Sequence, residues 1–240
     1  MNLVTPQIGF DRFVQLDWAL MALQVGAGSA ALADLNALVG ERLAGVDSRR
    51  KTVDILKRLW INPFPQSDDF VRRGLLLHRE LGEAAALPLI WGVSISTYPF
   101  FGKVSELMGR LFALQGDCSI PEVQRRSAEL YGDRDGITRA VSRIIQTQTS
   151  WNVLQRVEGT KRLIKSPAAV VSNDQLTAWL IEGAIRYIRK PVSVPTLQSL
   201  AVLFPFSLGR PLAYVVSNSH TLELQSAGSS DQFVSLRVTI

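Results

Sequence analysis

The chain reads SIPEVQRRSAELYGDRDGITRAVSRIIQTQTSWNVLQRVEGTKRLIKS from Ser119 to Ser166, and this stretch opens with a strong helix start. Ser119 can cap a helix that has Pro121 in its first turn and Glu122 three residues after the cap. Serine and glutamate at this spacing bond the free N–H groups of a helix start, and proline needs no partner there. The pattern predicts a short helix that ends near Tyr131.

A second helix and a hairpin follow in the same stretch. Turn residues at 132–135, with an aspartate cap, precede apolar residues at helical spacing, which predicts a helix that ends near Ser150. Residues 151–154 and 161–164 are typical of two short strands, and the turn between them lies at 158–160. Helix, tight turn, helix and hairpin is the order of a winged helix-turn-helix.

Positive charge is concentrated in this stretch. Between Arg134 and Lys165 there are seven basic and two acidic residues, and this excess of five equals the formal net charge of +5 of the whole chain. Basic side chains recur on the side of the second helix away from its apolar face, as DNA binding requires, because phosphate neutralisation supplies much of the affinity. We predict that the second helix reads base edges, with arginine on guanine and glutamine on adenine, and that the hairpin contacts phosphate. The candidate residues are Arg134, Thr138, Arg139, Ser142, Arg143 and Gln146 on the helix, and Arg156, Lys161, Arg162 and Lys165 on the hairpin.

Other interpretations of this stretch remain open. An ordinary helical hairpin with a solvated basic face has the same pattern, and helix-turn-helix shapes also serve as protein docking modules. A transcriptional regulator would use the same module on one specific operator. The sequence favours contact with nucleic acid, double-stranded DNA first, over a solvated face.

The rest of the chain predicts a mainly α fold in three regions. Residues 1–98 form an N-terminal helical lobe with ten basic and ten acidic side chains, which suits a structural role or a protein contact. Residues 99–166 form the winged helix-turn-helix domain, whose first helix is expected over 103–115. Residues 167–240 form a C-terminal helix and a small antiparallel β element, with strands expected at 212–216, 221–225 and 233–240. Because a terminal strand exposes a sheet edge, we expect a homodimer or docking to a larger partner.

One stretch raises the question of a membrane. Residues 84–102 carry no charged side chain over nineteen positions, which is close to the length of a membrane span. Two prolines and several hydroxyl side chains interrupt the stretch, and its apolar residues form one helical face. We predict a buried helix, and a membrane-associated segment is the alternative.

Composition narrows the class of protein. The chain has 240 residues, of which 47% are hydrophobic and 20% charged, as in a folded protein with a sizeable core. Its sequence pI of about 9.7 suits an anionic partner. Cys118 is the single cysteine, so that no disulfide can form within one chain. The first residues carry no signal-peptide pattern, and a cytoplasmic location is expected.

The sequence contains little that indicates catalysis. His78 and His220 lie far apart in the sequence and form no HxxxH pair, and Cys118 is expected to be a small buried hydrophobe. Residues 26–31, GAGSAA, match a loose GxGxxA dinucleotide motif, but the residues before them predict a helix and no βαβ unit follows. We therefore predict a protein that is not an enzyme, with no catalytic residue, no metal and no cofactor.

Three segments resemble a known family. They are DSRRKTVDILKRLW from Asp47, STYPFFGKVSELMGRLF from Ser96, and GDRDGITRAVSRIIQTQTSWNVL from Gly132. Their pattern and order are similar to those of the small DNA-binding accessory proteins of BREX phage-exclusion systems, the BrxA type. The likeness covers Leu35 to Leu154 and leaves out the β-rich tail. It implies a cytoplasmic, non-enzymatic DNA-binding protein that acts beside larger ATPase and methyltransferase subunits.

Overall fold

The structure is a computed structural model, and it describes residues 8–227 and 231–237. The protein is mainly helical, as the sequence predicts. The first region is helical from Leu16 onward, after a non-helical segment at 8–15, and two 3-10 turns, Pro65–Ser67 and Gly82–Ala85, join its later helices. Its helices are α1 (Leu16–Ala27), α2 (Leu32–Arg42), α3 (Val46–Trp60), α4 (Asp68–Leu81) and α5 (Ala86–Thr97).

The uncharged stretch at 84–102 contains α5 and the start of the next helix. Almost every side chain of α5 is buried, and Ser94 donates to the carbonyl of Ile90 at 2.7 Å. This confirms the predicted buried helix. In the parts of the chain that the structure describes, no single helix has both the length and the apolar character to cross a bilayer; the segments Pro65–Thr97 and Pro99–Gln115 meet that criterion only as a pair, bent by 114°.

The central region places a small sheet beside three helices. It contains α6 (Pro99–Gln115), β1 (Asp117–Ser119), α7 (Ile120–Tyr131), α8 (Asp135–Ser150), β2 (Leu154–Arg156) and β3 (Arg162–Lys165). The strands pair antiparallel in the order β1-β3-β2. The predicted bounds of α7 and α8 are confirmed, and the Ser119 hydroxyl accepts from the Glu122 N–H at 3.3 Å.

Two local predictions for this region are wrong, and one strand was not expected. Trp151 ends α8 and begins no strand, because Asn152 has a φ of 58° and turns the chain before β2. The cap of α8 is Arg134, whose side chain makes no capping bond; Asp135 lies inside the first turn. Strand β1 was not expected, since three residues are too few to show a strand pattern and their strand depends on pairing with β3, more than 40 residues away.

The C-terminal region combines helices with short strands. It contains β4 (Ala169–Val171), α9 (Asp174–Ile188), β5 (Val192–Ser193), α10 (Val194–Leu197), β6 (Phe206–Leu208), α11 (Leu212–Ser217), β7 (Leu222–Ala227) and β8 (Asp231–Leu236). The antiparallel pair β7–β8 confirms the predicted terminal strands, and residues 238–240 lie outside the described residues. The expected exposed edge at the last strand is wrong for the described part, because β8 is the middle strand of the order β5-β8-β7 and pairs with β5 on its other side. The strand predicted at 212–216 is instead helix α11. Leu212, Val215 and Val216 are buried at i, i+3 and i+4, and this helical spacing outweighs the β-branched composition.

A continuous apolar core joins the three predicted regions. The core runs from Phe10 to Phe206, and the predicted boundaries after residues 98 and 166 both lie within it. Trp91 of α5 packs edge-on against Trp151 at 6.3 Å between ring centroids, and its indole N–H donates to Val202 at 2.9 Å. These contacts join residues that are far apart in the sequence. They hold α8 against the large and rigid core of the protein.

Candidate nucleic-acid interface

The inner face of α8 fixes the direction in which its outer face points. Ile137, Val141, Ile144 and Ile145 are fully buried. Gln148 adds a buried hydrogen bond, in which its Nε2 donates to the Ser105 hydroxyl of α6 at 2.8 Å. Apolar packing and a buried polar bond on one side leave the opposite side of the helix exposed.

Thr147 ties α8 to the N-terminal region. Its hydroxyl accepts from the Val14 N–H at 2.9 Å, and the Trp151 indole donates to the Val14 carbonyl at 3.1 Å. The segment before α1 therefore runs along one edge of α8. This edge is where the exposed face of the helix meets the first region.

Three predicted arginines lie on the exposed side of α8 or at its start. Arg134, Arg139 and Arg143 are exposed and form no ion pair with any described residue. Each makes one weak local bond: Arg134 to the Tyr131 carbonyl at 3.1 Å, Arg139 to the Asp135 carbonyl at 3.3 Å, and Arg143 to Gln146 Oε1 at 3.0 Å. No carboxylate neutralises their charges.

The predicted polar residues of α8 differ in their availability. Ser142 donates to the Thr138 carbonyl at 3.0 Å and accepts from Gln124 of α7 at 3.0 Å. Its hydroxyl is thus committed to the contact between α7 and α8. Gln146 accepts from Arg143 through Oε1, and its amide N–H groups make no bond to a described residue. Thr138 is exposed.

A cleft of about 560 Å³ adjoins the exposed face of α8, and we call it the α8 cleft. Arg139 and Arg143 line one wall, and Arg12, Ser48 and Thr52 of the N-terminal region line the other. Asp11 is the one acidic residue among the lining residues, and it pairs with Arg12 at 3.1 Å. Two of the predicted base-reading arginines therefore face partly towards the first region.

Arg12 belongs to this surface and was missed from the sequence. Its Nη1 bonds Asp11, while its Nε is buried and has no partner in the described part of the chain. A buried guanidinium N–H without an acceptor is unfavourable and marks a place where an acceptor would be stabilising. No sequence signal connects Arg12 to Arg139, since only the fold brings the two segments together.

The four predicted hairpin cations divide into two sets. Arg162 pairs with Asp117 of β1, with Nε donating to Oδ2 at 2.8 Å. Arg156, Lys161 and Lys165 are exposed and form no ion pair with a described residue. Successive side chains of a strand point to opposite faces of the sheet. Arg162 therefore lies on one face, and Leu163, Lys165 and the cross-strand neighbour Arg156 lie on the other. The hairpin thus offers three unpaired cations and one that is already neutralised.

The residues considered for catalysis have structural surroundings. Cys118 is fully buried in β1, and burial raises the pKa of its thiol to about 12, with help from the charges of Asp117 and Glu122. This confirms its predicted role as a small buried hydrophobe. Residues 26–31 span the end of α1, where Gly28 adopts a φ of 78° and ends the helix. Among residues 8–227 and 231–237, no group of three or more metal-ligating side chains comes together.

Comparisons with known proteins place the chain in no family. No protein-family model, no curated protein and no solved structure matches it.

Proposed function

We propose that residues 99–166 form a winged helix and that the protein binds double-stranded DNA through it. The order α6, β1, α7, α8, β2, β3 and the sheet order β1-β3-β2 support this proposal. In such a unit the third helix enters the major groove and the hairpin lies over the adjacent backbone. The protein would act without an enzymatic activity of its own.

The observation that carries the proposal is the set of unpaired cations on one unit. The six are Arg134, Arg139, Arg143, Arg156, Lys161 and Lys165, all exposed and without an ion pair in the described part of the chain. In contrast, Arg125 and Arg126 on α7 pair with Glu129 and Glu122. Unpaired cations are the ones that gain most from a phosphate, because no internal carboxylate has to be displaced.

The α8 cleft refines the roles of the arginines. Arg139 and Arg143 face both solvent and the cleft, so that we assign them to backbone phosphate, together with Arg12. We assign the remaining side chains, Arg134, Thr138 and Gln146, to contacts with base edges. Arg162 is assigned to holding the hairpin against β1, since Asp117 occupies its guanidinium.

For the cellular role, we rely on the resemblance to the BrxA type. We propose an accessory protein of a bacterial antiphage defence system that works in the cytoplasm beside larger ATPase and methyltransferase subunits. The N-terminal region or the C-terminal sheet would supply the contact to those subunits or to a second copy of the chain. The genes that lie beside this one test this role directly.

Fluorescence anisotropy with a short labelled DNA duplex tests the proposal. We expect the double variant Arg139→Ala with Arg143→Ala to bind about tenfold more weakly or worse, because two charge-assisted contacts are lost. The control is Lys57→Ala with Arg72→Ala, which removes two positive charges from α3 and α4, away from the α8 cleft. Equal affinity of the two double variants would contradict the assignment of this surface.

A transcriptional regulator with one operator would use the same surface. Selection from a random DNA pool separates the two roles: a single strongly enriched, palindromic sequence indicates a regulator, and weak enrichment indicates an accessory protein.

A protein-interaction scaffold is favoured by a different feature. Leu114 of α6 and Leu130 of α7 are apolar and exposed by 79% and 56% within the same unit. Absence of DNA binding at moderate salt, with capture of a defence subunit that Leu130→Ser abolishes, would support the scaffold.

A further inference from the structure

A second cleft, of about 1070 Å³, shares no lining residue with the α8 cleft, and we call it the α6–α9 cleft. Its walls come from the N-terminal region, from α6, from the end of α7 at Tyr131, from the end of α9 with the chain that follows it, and from Phe233 of β8. Ligand pockets in proteins typically measure about 300–1,000 Å³, so that this one is large enough for a nucleotide.

The charge of the lining is strongly positive. Lys103, Arg110, Arg189 and Lys190 contribute four positive charges, and Glu106 contributes the one negative charge among the lining residues, which leaves a net charge of +3. A cleft lined by one sign of charge concentrates ligands of the opposite sign.

Glu106 is already neutralised by its neighbours. Its side chain accepts from Lys103 Nζ at 2.6 Å and from the Tyr187 hydroxyl at 2.6 Å, and it also pairs with Arg110. Burial raises the pKa of Glu106, but the bonds from Lys103 and Tyr187 and the nearby charges outweigh burial and hold it below its usual value. At neutral pH the carboxylate is therefore ionised, and it is bound by Lys103, Arg110 and the Tyr187 hydroxyl.

Arg189 and Lys190 are the cations that remain free. Both side chains are exposed and make no hydrogen bond or ion pair with a described residue. Arg189 ends α9 with a φ of 60° and a ψ of 28°, a left-handed conformation in which glycine is the usual residue. An arginine at such a position is a backbone outlier beside a cleft, the kind of feature that is enriched at binding sites.

Aromatic rings line the same cleft. Tyr131 and Tyr187 are partly buried, and Phe64 is 37% exposed. Tyr131 is held edge-on against Phe100, with ring centroids 4.9 Å apart. The guanidinium of Arg58 already lies over the Phe64 ring, 4.4 Å from its centroid, so that a base would stack on the part of these side chains that remains exposed.

We propose that the α6–α9 cleft binds a nucleoside phosphate, with the phosphoryl groups at Arg189 and Lys190 and the base against the aromatic side chains. The combination of free cations and ring faces favours a ligand that is both anionic and aromatic over a bare anion. This inference does not depend on DNA binding, because it uses none of the residues assigned to DNA.

Isothermal titration of the full chain with magnesium-free ATP tests the proposal, and sodium tripolyphosphate serves as an anion without a ring. We expect ATP to bind, and tripolyphosphate to bind about tenfold more weakly, because it cannot stack. The double variant Arg189→Gly with Lys190→Ala should lower ATP affinity about tenfold or more. Its thermal unfolding midpoint should not fall, because glycine suits the left-handed position.

The control for this experiment is again Lys57→Ala with Arg72→Ala, which removes two charges and no residue that lines the cleft. The control should keep the affinity of the parent protein for ATP. A dissociation constant for ATP weaker than about 1 mM would overturn the proposal. Equal binding of ATP and tripolyphosphate, or unchanged ATP binding by the Arg189→Gly, Lys190→Ala variant, would overturn it too.

Discussion

At the scale of single residues, Glu182 is the most constrained polar side chain that the structure describes. It is fully buried in α9, and its carboxylate accepts two bonds from Arg73 of α4, each of 2.8 Å. Arg186 and the hydroxyl of Thr221 donate to the same carboxylate at 2.8 and 2.7 Å. One acidic group therefore joins α4, α9 and the chain before β7.

We predict a large stability loss for Glu182→Gln. The amide keeps the shape of the side chain but leaves the half-buried Arg186 without a charge partner and Arg73 with Asp69 alone. Removing one partner of a buried ion pair typically costs about 3 kcal/mol. Urea denaturation measures the change in the free energy of unfolding. The matched control is Glu129→Gln on α7, where the exposed pair with Arg125 is worth less than about 1 kcal/mol. Similar losses of stability for the two variants would show that the buried network contributes no more than an exposed ion pair.

The residue scale also shows what the sequence could not predict. The basic side chains of the central region were visible in the sequence, and their exposure on α8 follows from helical spacing alone. Their partners were not visible: Arg162 meets Asp117 through the pairing of β3 with β1, and Arg12 reaches the α8 cleft through the fold of the whole chain. Ion pairs between distant segments depend on topology, which a single sequence does not reveal.

At the scale of elements, Gly109 determines how closely α6 packs. A Cβ atom at this position would lie 1.9 Å from the carbonyl oxygen of Ala201, in the turn Ala201–Leu203. No side chain can rotate away to relieve a contact with backbone. Gly109 is therefore the point at which the C-terminal region fits against the first helix of the central unit.

We predict that Gly109→Ala destabilises the protein by about 3 kcal/mol or more, because backbone must move to admit the methyl group. Gly136→Ala is the control, since nothing lies within 4 Å of a Cβ at that position of α8. Alanine favours the helix there and should raise stability by up to about 1 kcal/mol. Thermal unfolding of both variants gives the comparison, and a stable Gly109→Ala protein would mean that α6 and this turn pack less tightly.

Elements with strong local signals were predicted well, and those that depend on distant pairing were not. The helices α7 and α8 lie where the capping and turn residues predict them, and the Ser119 cap is confirmed, although the cap residue predicted for α8 is wrong. Strand β1 is set by pairing with β3, and the pair β4–β6 joins segments more than 30 residues apart. For α11 the β-branched residues pointed to a strand, whereas burial of one helical face decided the outcome.

At the scale of the whole molecule, the positive charges assigned to DNA and the apolar core are distributed differently over the three predicted regions. The main apolar core extends through all three predicted regions, and a second apolar cluster lies within the C-terminal one, while the unpaired cations assigned to DNA belong to the central region. A rigid body with a localised cationic surface suits the proposed binding of a polyanion, because little ordering is needed on association. The balance of ten basic and ten acidic side chains over residues 1–98 leaves the net charge to the rest of the chain.

The salt dependence of duplex binding tests the central proposal most directly. For the parent protein, we expect the logarithm of the association constant to fall linearly with the logarithm of the salt concentration. In the variant Lys161→Ala with Lys165→Ala, two lost phosphate contacts should make that slope shallower by about 1.8, at about 0.9 for each contact. Binding that does not respond to salt, or a slope in the variant that equals the slope of the parent protein, would contradict the proposal that this cationic unit binds DNA.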